Sequence, residues 1–206
     1  MTETTNAFTT APLRVVAIAG SLRRGSWNRR LLEAARELAP AGLHVDIVDL
    51  ADVPLYDGDR DTDETRPAAV RWLKQCIADA DGVLISTPEF NHSVPGVLQN
   101  AIDWVSRPAM KSPLAGKPVA IMGASPGALG AARAQQQLKL VLMSTLAQVL
   151  PHPGISVGMV AEKFDASGKL VHEPTRQFLT AFLIELETWI RHVGRPAVAE
   201  RGVRAA

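Results

Sequence analysis

Leu13-Arg-Val-Val-Ala-Ile-Ala-Gly-Ser-Leu-Arg-Arg-Gly-Ser-Trp-Asn28 decides how the rest of the chain is read. A short apolar run, Val15 to Ala19, stops at Gly20. A loop with two glycines, two serines and two arginines follows, and from Asn28 the spacing turns helical. A strand, a loop of small residues and a helix start form an anion site. The loop amides and first helical N–H groups have no partner within the helix and point at whatever sits there. Glycines let the backbone come close, serines donate hydroxyls, and arginines add charge-assisted bonds. The stretch predicts a phosphate-binding loop on an α/β fold, with a plain capped turn as the competing reading.

Working outward, strand and helix patterns alternate. Leu13 to Ala19 is apolar on both faces apart from Arg14, as in a parallel strand covered on both sides. Asn28 to Ala39 carries a helical stripe of Leu31, Leu32, Ala35 and Leu38, and His44 to Leu50 reads as a second strand. Helices are predicted over Pro67–Ala80, Pro95–Val105, Ala131–Leu150 and Glu173–Val193, and further strands over Val83–Ser86, Val119–Met122 and Ile155–Val160. The alternation predicts a doubly wound, five-stranded parallel sheet in the flavodoxin-like order, with helices on both faces. One domain is expected over 13–194, between loose tails at 1–12 and 195–206. The connection Ala51 to Pro67 holds Asp57, Asp59, Asp61 and Asp63. No glycine or closing glutamate stands where a calcium loop needs one, so it reads as a solvated acidic loop rimming a pocket.

Composition narrows the function. In 206 residues, 47% hydrophobic and 21% charged, a net charge of +1 argues against a nucleic-acid or membrane-surface protein. With Cys76 the lone cysteine, no internal disulfide or thiolate cluster can form. Neither a signal peptide nor a bilayer-spanning run is evident, and a cytoplasmic protein is expected.

In doubly wound sheets ligands bind outside the carboxyl ends of the strands, which here are followed by three unusual loops. The first, Gly20 to Asn28, has the glycine spacing of a Walker loop. Ser26 stands where lysine is needed, and no G-x-G-x-x-G is present. Ser21, Arg23, Ser26 and Asn28 remain as donors for a terminal phosphate monoester, and Arg24 reads as solvated. The second is Thr87-Pro-Glu-Phe-Asn-His-Ser93. Phe90 offers an aromatic surface to a planar ligand, and Asn91 can bond a heterocycle edge. Glu89 is the obvious acid, yet it lacks an acid/base partner and reads better as bonding nearby backbone N–H groups. His92 is either a proton donor or a surface histidine. The third, Gly123-Ala-Ser-Pro-Gly-Ala-Leu-Gly130, leaves room for a flat ring, or is a turn capped by Ser125. Cys76 and Trp104 read as packed side chains.

Gly20-Ser-Leu-Arg-Arg-Gly-Ser-Trp-Asn28, followed by Pro88-Glu-Phe-Asn-His-Ser-Val-Pro-Gly-Val-Leu-Gln-Asn-Ala-Ile-Asp-Trp104, resembles the NADPH-dependent FMN reductase family. Within it the likeness is strongest to the bacterial chromate and quinone reductases, and it runs from about Leu13 to Val193. The resemblance implies tightly bound FMN, NADPH or NADH as hydride donor, and a homodimer or homotetramer. By motif, Ser21, Arg23, Ser26, Trp27 and Asn28 would hold the FMN phosphate. Pro88, Glu89, Phe90 and Asn91 would line the flavin ring, and Ser125 and Gly127 would border its far edge. Phe90 stands where the family usually has tyrosine, and Gln99 where lysine is frequent. The apolar helix Ala131 to Leu150 resembles the family's subunit interface.

The implied activity is ping-pong hydride transfer through FMN to a quinone, azo or nitro compound, chromate or free flavin, with no side chain obliged to act as acid or base. No metal is expected. The rival readings are a flavodoxin-type electron carrier, which a net charge of +1 disfavours, and a flavin-free α/β binding module.

Overall fold

A computed structural model describes residues 11–194. The expected tails lie outside the described residues, apart from Ala11 and Pro12. The chain runs β1 (Leu13–Ala19), α1 (Trp27–Leu38), β2 (Leu43–Val48), α2 (Ala68–Asp79), β3 (Gly82–Thr87), α3 (Gly96–Val105), β4 (Pro118–Ala124), α4 (Ala132–Ser144), β5 (Gln148–Val149), β6 (Ile155–Val157) and α5 (Glu173–Val193). All strand pairs are parallel and the sheet order is β2-β1-β3-β4-β5, with β6 also on β4. This is the flavodoxin-like order that the alternation predicts.

The period-two geometry of a strand explains the two cores. Val15 and Ala17 of β1, with Leu84 and Met122, face α1 and α5 and pack with Leu31, Leu32, Leu183 and Leu186. Val16 and Ile18, with Val83, Ile85 and Ile121, face the other way and meet Leu73, Ile77, Leu98, Ile102, Leu138 and Leu142 from α2, α3 and α4. Both faces of β1 and β3 are dry, so these strands read as apolar runs.

Two departures from the sequence reading concern the region after α4. The predicted helix to Leu150 ends at Ser144. Leu146 takes a left-handed φ of 64°, and the N–H groups of Leu146 and Ala147 return to the carbonyls of Met143 (3.0 Å) and Leu142 (3.2 Å). That pairing closes a Schellman cap. The apolar residues beyond it are strand, not helix: Val149 pairs with Val119 on β4. The fifth strand position is therefore split, because Pro151 and Pro153 have no N–H to give a ladder. Lys139 Nζ donates to the His152 carbonyl (2.8 Å), and Gln135 Nε2 donates to the Ile155 carbonyl (3.2 Å) and Ser156 Oγ (2.8 Å). Val160, expected at the end of a strand, opens a short 3-10 turn.

The acidic connection is only partly solvated. Asp57 caps a 3-10 turn at Gly58–Arg60, and Asp63 is exposed. The Asp61 side chain is only 6% exposed, 2.6 Å from Arg66 Nε and 3.7 Å from Lys74 Nζ on α2. No group of acidic, histidine or cysteine side chains among the described residues is placed to hold a metal ion. The loop is tied to α3 as well: Asn100 Nδ2 and Trp104 Nε1 both donate to the Pro54 carbonyl, each at 2.8 Å. No helix is long and apolar enough to cross a membrane among the described residues.

Candidate functional site

The loops after β1, β3 and β4 meet at the carboxyl edge of the sheet. A Cβ on Gly20 would stand 3.2 Å from Pro88 Cδ and 3.1 Å from Leu98, so the first loop can lie against the second because Gly20 has no side chain. The second loop reaches the helix that follows the third: Glu89 Oε2 accepts from the N–H groups of Arg133 (2.9 Å) and Ala134 (3.2 Å).

Ser26 is the N-cap of α1, its Oγ accepting from Arg29 N–H at 3.3 Å. The N–H groups of Trp27 and Asn28, in the first turn, have no partner among the described residues. Beside them are Ser21 Oγ, which accepts a long bond from Arg23 N–H (3.4 Å), and the exposed Arg23, whose guanidinium donates to the Gly25 carbonyl at 3.0 Å. A Cβ on Gly25 would meet no heavy atom within 4 Å. The glycine serves no internal packing there and leaves the backbone open to a ligand. Helix-start amides, two hydroxyls and a guanidinium are the donor set a phosphate monoester needs, and this set fits the phosphate of FMN.

Asn28 and Trp27 have side chains already engaged. Asn28 is buried. Its Nδ2 donates to the Ala124 carbonyl (3.0 Å), and its Oδ1 accepts from Ala124 N–H (3.0 Å) and Ser86 Oγ (2.9 Å). It joins the ends of β3 and β4 to the start of α1, and its backbone N–H is what it offers the loop. The Trp27 ring packs on Phe164 at 5.5 Å between centroids and carries Arg30 over its face at 4.6 Å.

In the second loop Phe90 and Ser93 exchange both backbone hydrogen bonds, at 3.2 and 3.0 Å. Asn91 and His92 between them have φ of 51° and 62°. This is a two-residue hairpin of type I′, which demands positive φ at both tip positions. Phe90, 57% exposed, and the tip residues lie open at the sheet edge. Pro88 is buried, with its carbonyl accepting from Thr87 Oγ1 at 2.8 Å. Glu89 supplies the N-terminal capping that Ala131, which precedes α4, cannot, and adds a carboxylate where the helix dipole favours one. Arg133 Nη1 stands 3.5 Å from its other oxygen.

In the third loop Ser125 Oγ donates to the Gly127 carbonyl (3.1 Å) rather than to the start of α4. Ser125 N–H donates to Val157 (3.0 Å), and Met159 N–H donates to Gly127 (3.1 Å), so the loop is stitched to the end of β6. Gly130 has φ 55°, and a Cβ there would stand 2.5 Å from the backbone of Ser156. Pro126 to Leu129 are exposed. Gln99 is engaged on its own helix, donating to Asp103 at 3.0 Å.

The side-chain links of Asn28 to Ala124 and of Glu89 to α4 were missing from the sequence reading. Each joins residues far apart in the chain, and neither has a local pattern. Trp104 is fully buried, and burial pushes the Cys76 thiol above its ordinary value, as for a packed sulfur. A cavity of about 700 Å³ opens at the opposite end of the sheet, between Leu13, Lys111, Pro118 and Ile190, and none of the three loops lines it.

Comparison with known proteins agrees with this geometry. The family model for NADPH-dependent FMN reductase matches residues 13–162. The chain is 44% identical to a 2-hydroxy-1,4-benzoquinone reductase of Burkholderia sp, over 87% of this chain and 97% of that protein. It is 42% identical to a quinone reductase of Escherichia coli (strain K12), over 88% and 97%. Among solved structures, the flavoenzyme NAD(P)H:(acceptor) oxidoreductase FerB of Paracoccus denitrificans superposes with a TM-score of 0.82 at 37% identity, covering 89% of this chain and all of that one.

Proposed function

The chain belongs to the NADPH-dependent FMN reductase family, and from that premise we propose that it reduces quinones with electrons from NADPH or NADH, through FMN held at the carboxyl edge of the sheet. The observation that carries this reading is the set of open donors on the first loop. The free N–H groups of Trp27 and Asn28 stand beside Ser21 and Arg23, and two further loops close the same edge.

FMN, when bound, would supply the hydride and two-electron chemistry that links a nicotinamide to an acceptor. The protein's part is to bind and orient. Ser21, Arg23, Ser26 and the first-turn amides of α1 hold the phosphate. Pro88, Phe90 and Asn91 flank the ring. Glu89 fixes the second loop to α4, and Ser125 and Gly127 bound the far edge. Backbone amides of these loops would stabilise negative charge on the ring without reorganising. Phe90, Asn91 and Pro126 to Leu129 are exposed and would leave one open face to donor and acceptor in turn, the arrangement that ping-pong kinetics needs. Quinones are the principal acceptors, and azo and nitro compounds, chromate and free flavin fit the same exposed face. The working form is a homo-oligomer assembled through α4, whose Leu140 and Met143 are 63% and 61% exposed on successive turns.

The test is Arg23→Ala. It is expected to raise the FMN dissociation constant about tenfold or more, the worth of one charge-assisted contact. Turnover of enzyme loaded with excess FMN changes little. Unchanged FMN affinity with lost turnover would remove Arg23 from the phosphate site. Bleaching of the bound flavin by NADPH or NADH separates this reading from that of an electron carrier without nicotinamide activity.

A further inference from the structure

Two-electron reduction of a quinone to a hydroquinone consumes a hydride and a proton, and the proton needs a source. We propose that His92, at the tip of the hairpin after β3, is that source. The inference rests on the quinone-reductase reading above and assigns a catalytic residue within it.

Three observations place it there. First, the tip breaks a local rule. A type I′ turn is relaxed with Asn-Gly, yet here Asn91 is followed by histidine at φ 62°. Histidine is among the residues that enter the left-handed region, and at this tip its side chain is exposed. Second, the hairpin is a fixed platform at the site edge. Both Phe90–Ser93 hydrogen bonds are made, and Glu89 anchors the adjoining residue to α4. Third, the other titratable groups on the three loops are unsuited. Arg23 and Arg24 keep their protons at any working pH. Glu89 accepts from two backbone N–H groups and faces Arg133. Thr87 Oγ1 donates inside the loop, and the loop after β4 carries no titratable side chain. His92 is exposed, and no charged group of any neighbouring element lies within hydrogen-bond or ion-pair distance of its ring among the described residues. Imidazole is the side chain that exchanges a proton near neutral pH.

The step balances. The acceptor gains two electrons and one hydrogen as hydride from the NAD(P)H-reduced cofactor, leaving one oxygen of the product as phenolate. An imidazolium N–H bond breaks and the phenol O–H bond forms. The neutral ring then recovers its proton from water.

The experiment uses FMN-loaded enzyme reduced with NADPH or NADH, then mixed in stopped flow with tetramethyl-1,4-benzoquinone or with ferricyanide, a one-electron acceptor that needs no proton. His92→Gln and His92→Gly are compared with the unaltered chain, and FMN affinity is measured alongside by flavin fluorescence. Both variants are expected to bind FMN and to be reduced as before, and to react with ferricyanide unchanged. Each is expected to lose about tenfold to a hundredfold in quinone rate near neutral pH. His92→Gly also raises the melting temperature, because glycine relaxes the turn, so loss of rate arrives with gain of stability. Quinone rates and pH profiles equal to those of the unaltered chain would overturn the role of His92. Failure of the unaltered holoenzyme to be bleached by either nicotinamide would instead overturn the proposed function.

Discussion

Asn28 shows how much one side chain can be asked to do. Three hydrogen bonds of 2.9 to 3.0 Å leave it at 3% exposure, bridging two strand ends and a helix start. Replacing it with leucine keeps the bulk and strands the Ala124 amide and carbonyl and the Ser86 hydroxyl. An unsatisfied buried polar group costs roughly 1–3 kcal/mol, so Asn28→Leu is expected to destabilise by about 3 kcal/mol or more. Urea unfolding measures it, and a loss below about 1 kcal/mol would mean that the clamp is dispensable. Glu89 illustrates a complementary point. Its role as a bonder of backbone N–H groups was readable from its isolation from other acids and histidines. That those N–H groups belong to α4, forty-four residues on, was not.

The elements divide by how local their causes are. α5 begins and ends where its capping and apolar stripe predict, with His172 as N-cap and Pro174 in the first turn. α4 does not, because Val149 and Leu150 are apolar for the sake of β4 rather than for a helix face. The strap from Ala51 to Pro67 carries an ionic cluster in which Asp61 meets both Arg66 and Lys74, and Arg66 also pairs with the exposed Asp63 at 3.0 Å. Burial pushes the Lys74 ammonium below its ordinary value, against the pull of Asp61, and its Nζ has no hydrogen-bond partner. A lowered ammonium pKa means that folding disfavours the charged form. The penalty is fully present below the folded value and fades as pH rises toward the ordinary value of 10.5. Lys74→Met keeps the stem and leaves Asp61 paired with Arg66, so its urea midpoint should exceed that of the unaltered chain near about pH 7. The gap should narrow near about pH 10.5. A variant less stable at neutral pH would show that Asp61 needs both cations.

For the whole molecule, assembly is the open quantity that the surface addresses. Leu140 and Met143 project from α4 on the side away from the sheet, with Leu146 43% exposed just beyond. Sedimentation velocity on Leu140→Glu/Met143→Glu is expected to show a protomer smaller than the unaltered species with an unchanged circular dichroism spectrum. An unaltered sedimentation coefficient would move the interface off α4.

The strand-loop-helix order, the sheet topology and the three edge loops were determined by the sequence itself, because their causes are periodic or local. Apolar runs need cover on both faces, small residues end strands, and N-caps and prolines start helices. Only the tertiary structure decided which polar groups on those loops are already engaged. Asn28 clamps β4, Glu89 caps α4, Asp61 lies in an ionic cluster, and the fifth strand is cut in two around Pro151 and Pro153. The reason is physical. A hydrogen bond between residues 44 or 96 positions apart is set by where the packed sheet brings them, and one sequence carries no local sign of that meeting.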